Sequence, residues 1–266
     1  MKYLLAACLV VMASLFEGVS VAANEHKPTD QFNRISPVEA GYAEEELEVL
    51  KQFLEEKGSS ALLLLHDGKV FFEWGEIHKK HTIHSIRKAM LNSLFGVYEA
   101  RGAFSLSETL ADAGIDDRAP ALTPLEKTAT IEDLLKSRSG ISHRAAAETA
   151  GMHAQKPPRG THAPGETYQY NNWDFNVLNA ILEARIGKSI FEAYYDEIAK
   201  PLGMLHFKGI YSSIHLPQDG DTIPVTDGFY QYEKDRSDFP AYHFRMSAHD
   251  MALYGQLYLN RGWVEW

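Results

Sequence analysis

Ser85 and Lys88 stand three residues apart at the head of an apolar stretch containing Met90, Leu91, Leu94 and Val97. In a helix that spacing places both side chains on one face, a turn apart. A serine hydroxyl is a weak nucleophile until a neighbour removes its proton. A lysine withdrawn from water beside other donors can lose its charge and take that proton, and the N-terminal end of a helix favours negative charge at the serine oxygen. The pair therefore suits nucleophilic attack on an acyl group, with Ser85 as nucleophile and Lys88 as proton acceptor. The spacing is common, and the same residues also read as a helix cap followed by a solvated lysine. Context favours the chemistry: the chain has no other Ser-x-x-Lys, and this one follows an apolar hairpin, which puts its serine at a sheet edge.

A second group lies at Tyr170-Asn171-Asn172, after Pro164-Gly165-Glu166. In an extended stretch before a helix, Tyr170 and Asn172 point the same way. The phenol can shuttle a proton and the carboxamide can hydrogen-bond a substrate amide. The alternative is a capping segment with Asn172 as N-cap, and Asn172 can do both. Another Tyr-x-Asn, Tyr258-Leu259-Asn260, closes an amphipathic helix where Tyr258 packs and Asn260 with Gly262 forms the C-cap. His78, His81 and His84 fall three apart, but a zinc site needs ligands that converge, and this spacing drifts round a helix. No metal is expected. His143, His153 and His162 fall in a long loop and read as surface residues. Without a Gly-x-Ser-x-Gly elbow a Ser-His-Asp hydrolase is disfavoured.

The surrounding chain has 266 residues, 45% of them hydrophobic, enough for one large domain or two small ones with a true core. Its formal charge of -10 excludes the basic footprint that a nucleic acid requires and points to a small-molecule or peptide substrate. Lys2, the apolar run Leu4 to Phe16 and the small residues Val21-Ala22-Ala23 read as a signal peptide over residues 1–23. The mature protein is then exported, periplasmic or extracellular, with no stable membrane span. Cys8, the one cysteine, lies in Leu5-Ala6-Ala7-Cys8, which looks superficially like a lipoprotein box, but the apolar run continues past it. The mature chain would hold neither a disulfide nor a thiolate metal site.

Residues 24–58 read as a loose lead-in followed by a helix over Ala43 to Lys57, stopped by Gly58. The runs Ala61 to Leu65 and Val70 to Trp74 flank Asp67-Gly68 and predict a β-hairpin whose first strand is covered on both faces. Helices are expected over 85–101, 172–186 and 247–261. Capping boxes start at Ser105, Thr130, Ser189 and Ser247. Residues 138–166 read as a long functional loop, and residues 208–245 show no strong period. A hairpin alone is marginal and no later strands are evident, so the domain, 59–266, is expected to be incomplete at its C-terminus.

In this order the segments resemble the class C β-lactamase-related serine hydrolases, a branch of the penicillin-recognising enzymes. The resemblance rests on Ser85-Ile86-Arg87-Lys88, on Thr130 to Leu135 leading to Ser139-Gly140-Ile141, and on Pro164-Gly165-Glu166 with Tyr170-Asn171-Asn172. It continues through Pro201-Leu202-Gly203-Met204 and from Ser247-Ala248 to Gly262, and so covers roughly residues 60 to 262. It implies an α/β (α+β) fold, an antiparallel sheet flanked by helices with a mostly helical subdomain. It also implies acylation of Ser85, base and acid roles shared by Lys88 and Tyr170, substrate binding by Asn172, and no cofactor. Where the family has His-Thr-Ser-Gly this chain has Arg138-Ser139-Gly140 after Lys136-Ser137, which implies an altered surface. The family's third motif, on a C-terminal strand that supplies an oxyanion donor, is not found. Loss of such a donor costs about a hundredfold or more, so the resemblance predicts a poorly active chain. A non-catalytic relative that binds peptide or cell-wall fragments is the alternative. The substrate is a β-lactam, a D-amino-acid peptide, an ester or an amide, and the oligomeric state is not specified.

Overall fold

The computed structural model describes residues 32–220 and 222–263; the expected signal peptide lies outside them. Among the described residues there are seven α-helices and six strands. The first helix, α1 (Glu44–Glu56), opens with three glutamates, which suit the positive end of the helix. Its Leu47 and Leu54 pack on Phe71 and Phe72 in a small apolar cluster of their own. Those phenylalanines belong to the hairpin, β1 (Ala61–His66) paired antiparallel with β2 (Lys69–Gly75). Asp67 and Gly68 both have positive φ, 46° and 72°, as a tight two-residue hairpin turn demands.

Two expectations about this region change. Along β1, Ala61 to Leu65 are only half-buried, not covered on both faces, because the strand's one partner among the described residues is β2. The lead-in is not loose where it meets the sheet. Ile35 donates to the Val70 carbonyl at 3.0 Å and Val70 donates back to Asn33 at 2.8 Å, so residues 33–35 line the outer edge of β2.

The segment 208–245, which carries no clear period, holds three strands. They are β4 (Tyr211–His215), β5 (Gly228–Tyr232) and β6 (Ala241–Met246), and with the short β3 (His81–Thr82) they form a second sheet in the order β3-β6-β5-β4. The expectation that no strands follow the hairpin is therefore wrong. All pairs in this sheet are antiparallel except β4 with β5. The strands escape a hydrophobic pattern because β6 is buried on both sides: Tyr242, Phe244 and Met246 face the core, and the polar His243 between them is buried too. Gly228 is required: a Cβ there would fall 2.1 Å from the Phe191 ring.

One core joins this sheet to the helices. Helix α2 (Arg87–Ala100) contributes Met90, Leu91, Leu94 and Phe95. Helices α3 (Ile131–Leu135) and α4 (Ala150–Ala154) are short, and α4 interrupts the expected long loop. Helix α5 (Trp173–Ile186) buries Val177, Leu178, Ile181 and Leu182 and ends on left-handed Gly187. Helix α6 (Ile190–Tyr194) continues into one π-turn, and α7 (Ala248–Leu259) closes the described fold. Tyr258 near its end is exposed, although its hydroxyl meets those of Ser93 and Tyr254.

The capping boxes at Thr130 and Ser189 form in full. At Ser247 only half forms: its hydroxyl accepts from Asp250, whose carboxylate is engaged elsewhere. No helix starts at Ser105, because the Leu106 and Glu108 carbonyls accept from Glu132 and Ile131 instead. No described helix is long and apolar enough to cross a membrane.

Candidate active site

Ser85 lies in a 3-10 turn, His84–Ile86, that feeds α2, and Lys88 lies in the first turn of α2. His84 holds a φ of 45°, a conformation that side chains rarely adopt. The turn leaves Ser85 exposed and sends Lys88 inward, where it is only 8% exposed. Tyr170 and Asn172 approach from the segment before α5. The Tyr170 hydroxyl donates to Ser85 Oγ at 2.6 Å. Lys88 Nζ donates to Tyr170 Oη at 2.9 Å and to Asn172 Oδ1 at 2.8 Å. All four residues singled out from the sequence therefore meet in one hydrogen-bonded group.

The connection differs from the expected one in a single respect. Among the described residues Lys88 makes no direct hydrogen bond to Ser85; the phenol of Tyr170 stands between them. Asn172 does not cap α5 with its side chain. Asn171 does so, its Oδ1 accepting from Asp174 N at 2.8 Å. That frees Asn172 to hold Lys88 with its oxygen and the Ala147 carbonyl, 2.7 Å away, with its nitrogen.

Burial, reinforced by the neighbouring charge of Arg87, lowers the Lys88 ammonium to a pKa of about 6. Near neutrality the amine is mostly uncharged and keeps a lone pair for a proton. Arg87 is the residue that sequence reasoning missed. It is 2% exposed, donates to the Tyr242 carbonyl at 2.8 Å and to Asn176 Oδ1 at 3.3 Å, and stacks 4.3 Å from the Tyr242 ring centre. The available signal was a charged residue at the start of an apolar helix, directly before the lysine. His243 also lies near this group; burial first, then the Arg87 charge, keeps its imidazole neutral.

The loop 138–166 supports the site from below. Ser139 Oγ donates to Asp174 at 2.6 Å, and the Asp174 carboxyl is pushed up to about 7 by burial. Gly140 has a φ of 71°, and a Cβ there would lie 2.7 Å from the His162 carbonyl. Of the loop histidines, His143 is buried, against the surface reading, because it bridges the Arg118 and Arg144 carbonyls. His78, His81 and His84 do not converge: His81 is in β3, His84 precedes Ser85, and His78 pairs with His206.

The described site can thus pass a proton from an exposed serine through a phenol to an uncharged amine. Comparison with known proteins agrees with the fold that positions it. The family model described as Beta-lactamase matches residues 48–264. No curated protein matches the chain. An octameric penicillin-binding protein homologue from Pyrococcus abyssi shares 20% identity, with a TM-score of 0.55 over 82% of this chain and 56% of its own. A class C β-lactamase from Rhodobacter sphaeroides shares 18%, with a TM-score of 0.54 over 84% of this chain and 67% of its own. A penicillin-binding protein from Bacillus halodurans shares 18%, with a TM-score of 0.56 over 80% and 74%. At these identities the likeness is one of fold. The chain spans little more than half the length of the Pyrococcus protein.

Proposed function

Because the chain belongs to the β-lactamase family, we propose that it is a serine hydrolase that works through an acyl-enzyme on Ser85. The observation behind this reading is the chain of contacts from Ser85 Oγ to Tyr170 Oη to Lys88 Nζ, at 2.6 and 2.9 Å. As Ser85 Oγ bonds to the acyl carbon, its proton moves to the Tyr170 oxygen while the phenolic proton moves to the neutral Lys88 amine. The same groups return a proton to the leaving group as its bond to the acyl carbon breaks. Water then attacks the ester carbon, its proton taken by the same route, and frees Ser85. Asn172 acts first by fixing the Lys88 amine, and a substrate amide would reach its N–H by displacing the weak Met152 Sδ contact at 3.9 Å, the other N–H being held by the Ala147 carbonyl. Four acyl classes fit this chemistry: β-lactam, D-amino-acid peptide, ester and amide. Export to the periplasm or beyond belongs to the same proposal.

A fluorophosphonate probe tests the reading without requiring turnover, because labelling asks only for an activated serine. The chain should label at Ser85, the Ser85→Ala variant should not, and Tyr170→Phe should label at least about a hundredfold more slowly. A folded chain that takes no label at Ser85 would leave the alternative, a relative that binds cell-wall fragments without cleaving them.

A further inference from the structure

A second cluster of reactive side chains lies apart from Ser85 and shares no residue with that site. We propose that His78, His206 and His249 form a binding site for one divalent transition-metal ion, oriented by Asp250. His78 Nδ1 and His206 Nε2 are 3.0 Å apart. The His249 ring lies 5.4 Å from the His78 ring and 6.1 Å from the His206 ring, centre to centre. One ligand-capable atom from each of His206, His249 and Asp250 lies within 4.8 Å of the other two. In a tetrahedral zinc site two imidazole nitrogens sit about 3.3 Å apart. An ion between His78 and His206 therefore needs a shift of only tenths of an ångström.

Asp250 is better suited to orienting the site than to ligating the ion. Its Oδ1 accepts from Leu205 N at 2.9 Å and faces His249 Nδ1 at 3.2 Å, and its Oδ2 accepts from His206 N and Phe207 N, each at 2.9 Å. Every lone-pair direction of the carboxylate is used. A carboxylate that faces one ring nitrogen of a ligating histidine, and so fixes the ring's orientation, is the usual second support of a metal site. Backbone contacts also set the ligands in advance: His249 N donates to the Ile77 carbonyl at 3.1 Å, next to His78. The three ligands thus come from three separate segments already tied together.

The chemistry favours a borderline ion. Three imidazoles without a thiolate suit Zn²⁺, Co²⁺, Ni²⁺ or Cu²⁺ and not Mg²⁺ or Ca²⁺. His78 is exposed and His249 is buried, which gives the ion an entry side and a floor.

The test is calorimetric titration of the untagged chain with Zn²⁺, together with the visible spectrum of the Co²⁺ form. One ion per chain should bind saturably and raise the melting temperature, and Mg²⁺ should do neither. His78→Ala and His206→Gln should each weaken binding at least about tenfold. His215→Ala, at an exposed histidine of β4, should leave it unchanged. Circular dichroism before titration shows that each variant is folded. Absence of Zn²⁺ binding by the folded chain overturns the proposal, as does binding that His78→Ala and His206→Gln both leave intact.

Discussion

Burial takes the Lys88 ammonium from an ordinary 10.5 to about 6, and the Arg87 charge beside it adds to the shift. The unfolded chain then binds a proton at Lys88 that the folded chain does not, over the window from about 6 to 10.5. In that window stability rises with pH, by up to about 1.4 kcal/mol per unit from this one group. The property that makes the amine a base thus opposes folding. Two results should follow from it. Acylation of Ser85 should climb as pH rises through about 6, where the amine loses its charge. Lys88→Met should abolish labelling yet raise the melting temperature, with a larger gain at pH 6 than at pH 9. Equal gains at the two values would show that Lys88 is not held neutral. At this scale the sequence was informative where residue type and spacing limit the chemistry, as for Ser85, Lys88 and Tyr170. It was silent about Arg87, because a buried guanidinium depends on the Tyr242 carbonyl and ring, contributed from far along the chain.

Between residue and fold, the turn at Ser139-Gly140 joins α3 to the segment that delivers Tyr170. Gly165 N donates to the Arg138 carbonyl and Gln169 N to the Ser137 carbonyl, each at 2.8 Å. A side chain at Gly140 would meet the His162 and Ala163 backbone in a left-handed conformation. Gly140→Ala should cost roughly 2 kcal/mol or more in urea unfolding and slow labelling of Ser85. Gly255→Ala, in the interior of α7 with nothing near its added methyl, should instead stabilise by up to about 1 kcal/mol. A gain from Gly140→Ala would mean that this turn does not constrain the site. The elements themselves were readable where local signals agree. Thr130 with Asp133 and Ser189 with Glu192 cap their helices as their spacing predicts, and Asp67-Gly68 turns the hairpin. The same capping pattern failed at Ser105, whose neighbouring carbonyls pair with the start of α3, a contact that no local window contains.

Across the whole molecule the second sheet was the part least visible in advance. Its strands are short and aromatic, its central β6 is buried at every residue but the half-buried Arg245, and β3 is separated from β6 by most of the chain. Single buried carboxylates join its connections to the helices. Asp117 accepts from Trp173 Nε1 at 2.7 Å, from Ser237 Oγ at 2.6 Å and from Asp238 N at 2.8 Å, linking α5 to the segment before β6. Asp250 does the same from the first turn of α7, because its own helix cap leaves the carboxylate available for Leu205, His206 and Phe207.

That diversion couples three consecutive amides to one side chain. In deuterated water they should not exchange one by one, as the amides of a fraying loop do, but together and slowly, each time the start of α7 swings away. Mass spectrometry of the peptide spanning 203–207, which retains label on the amides of 205, 206 and 207, should show two populations three deuterons apart, provided closing is slower than exchange. A smooth drift of a single population under those conditions would mean that the three hydrogens leave independently, and that the carboxylate does not hold them as a unit.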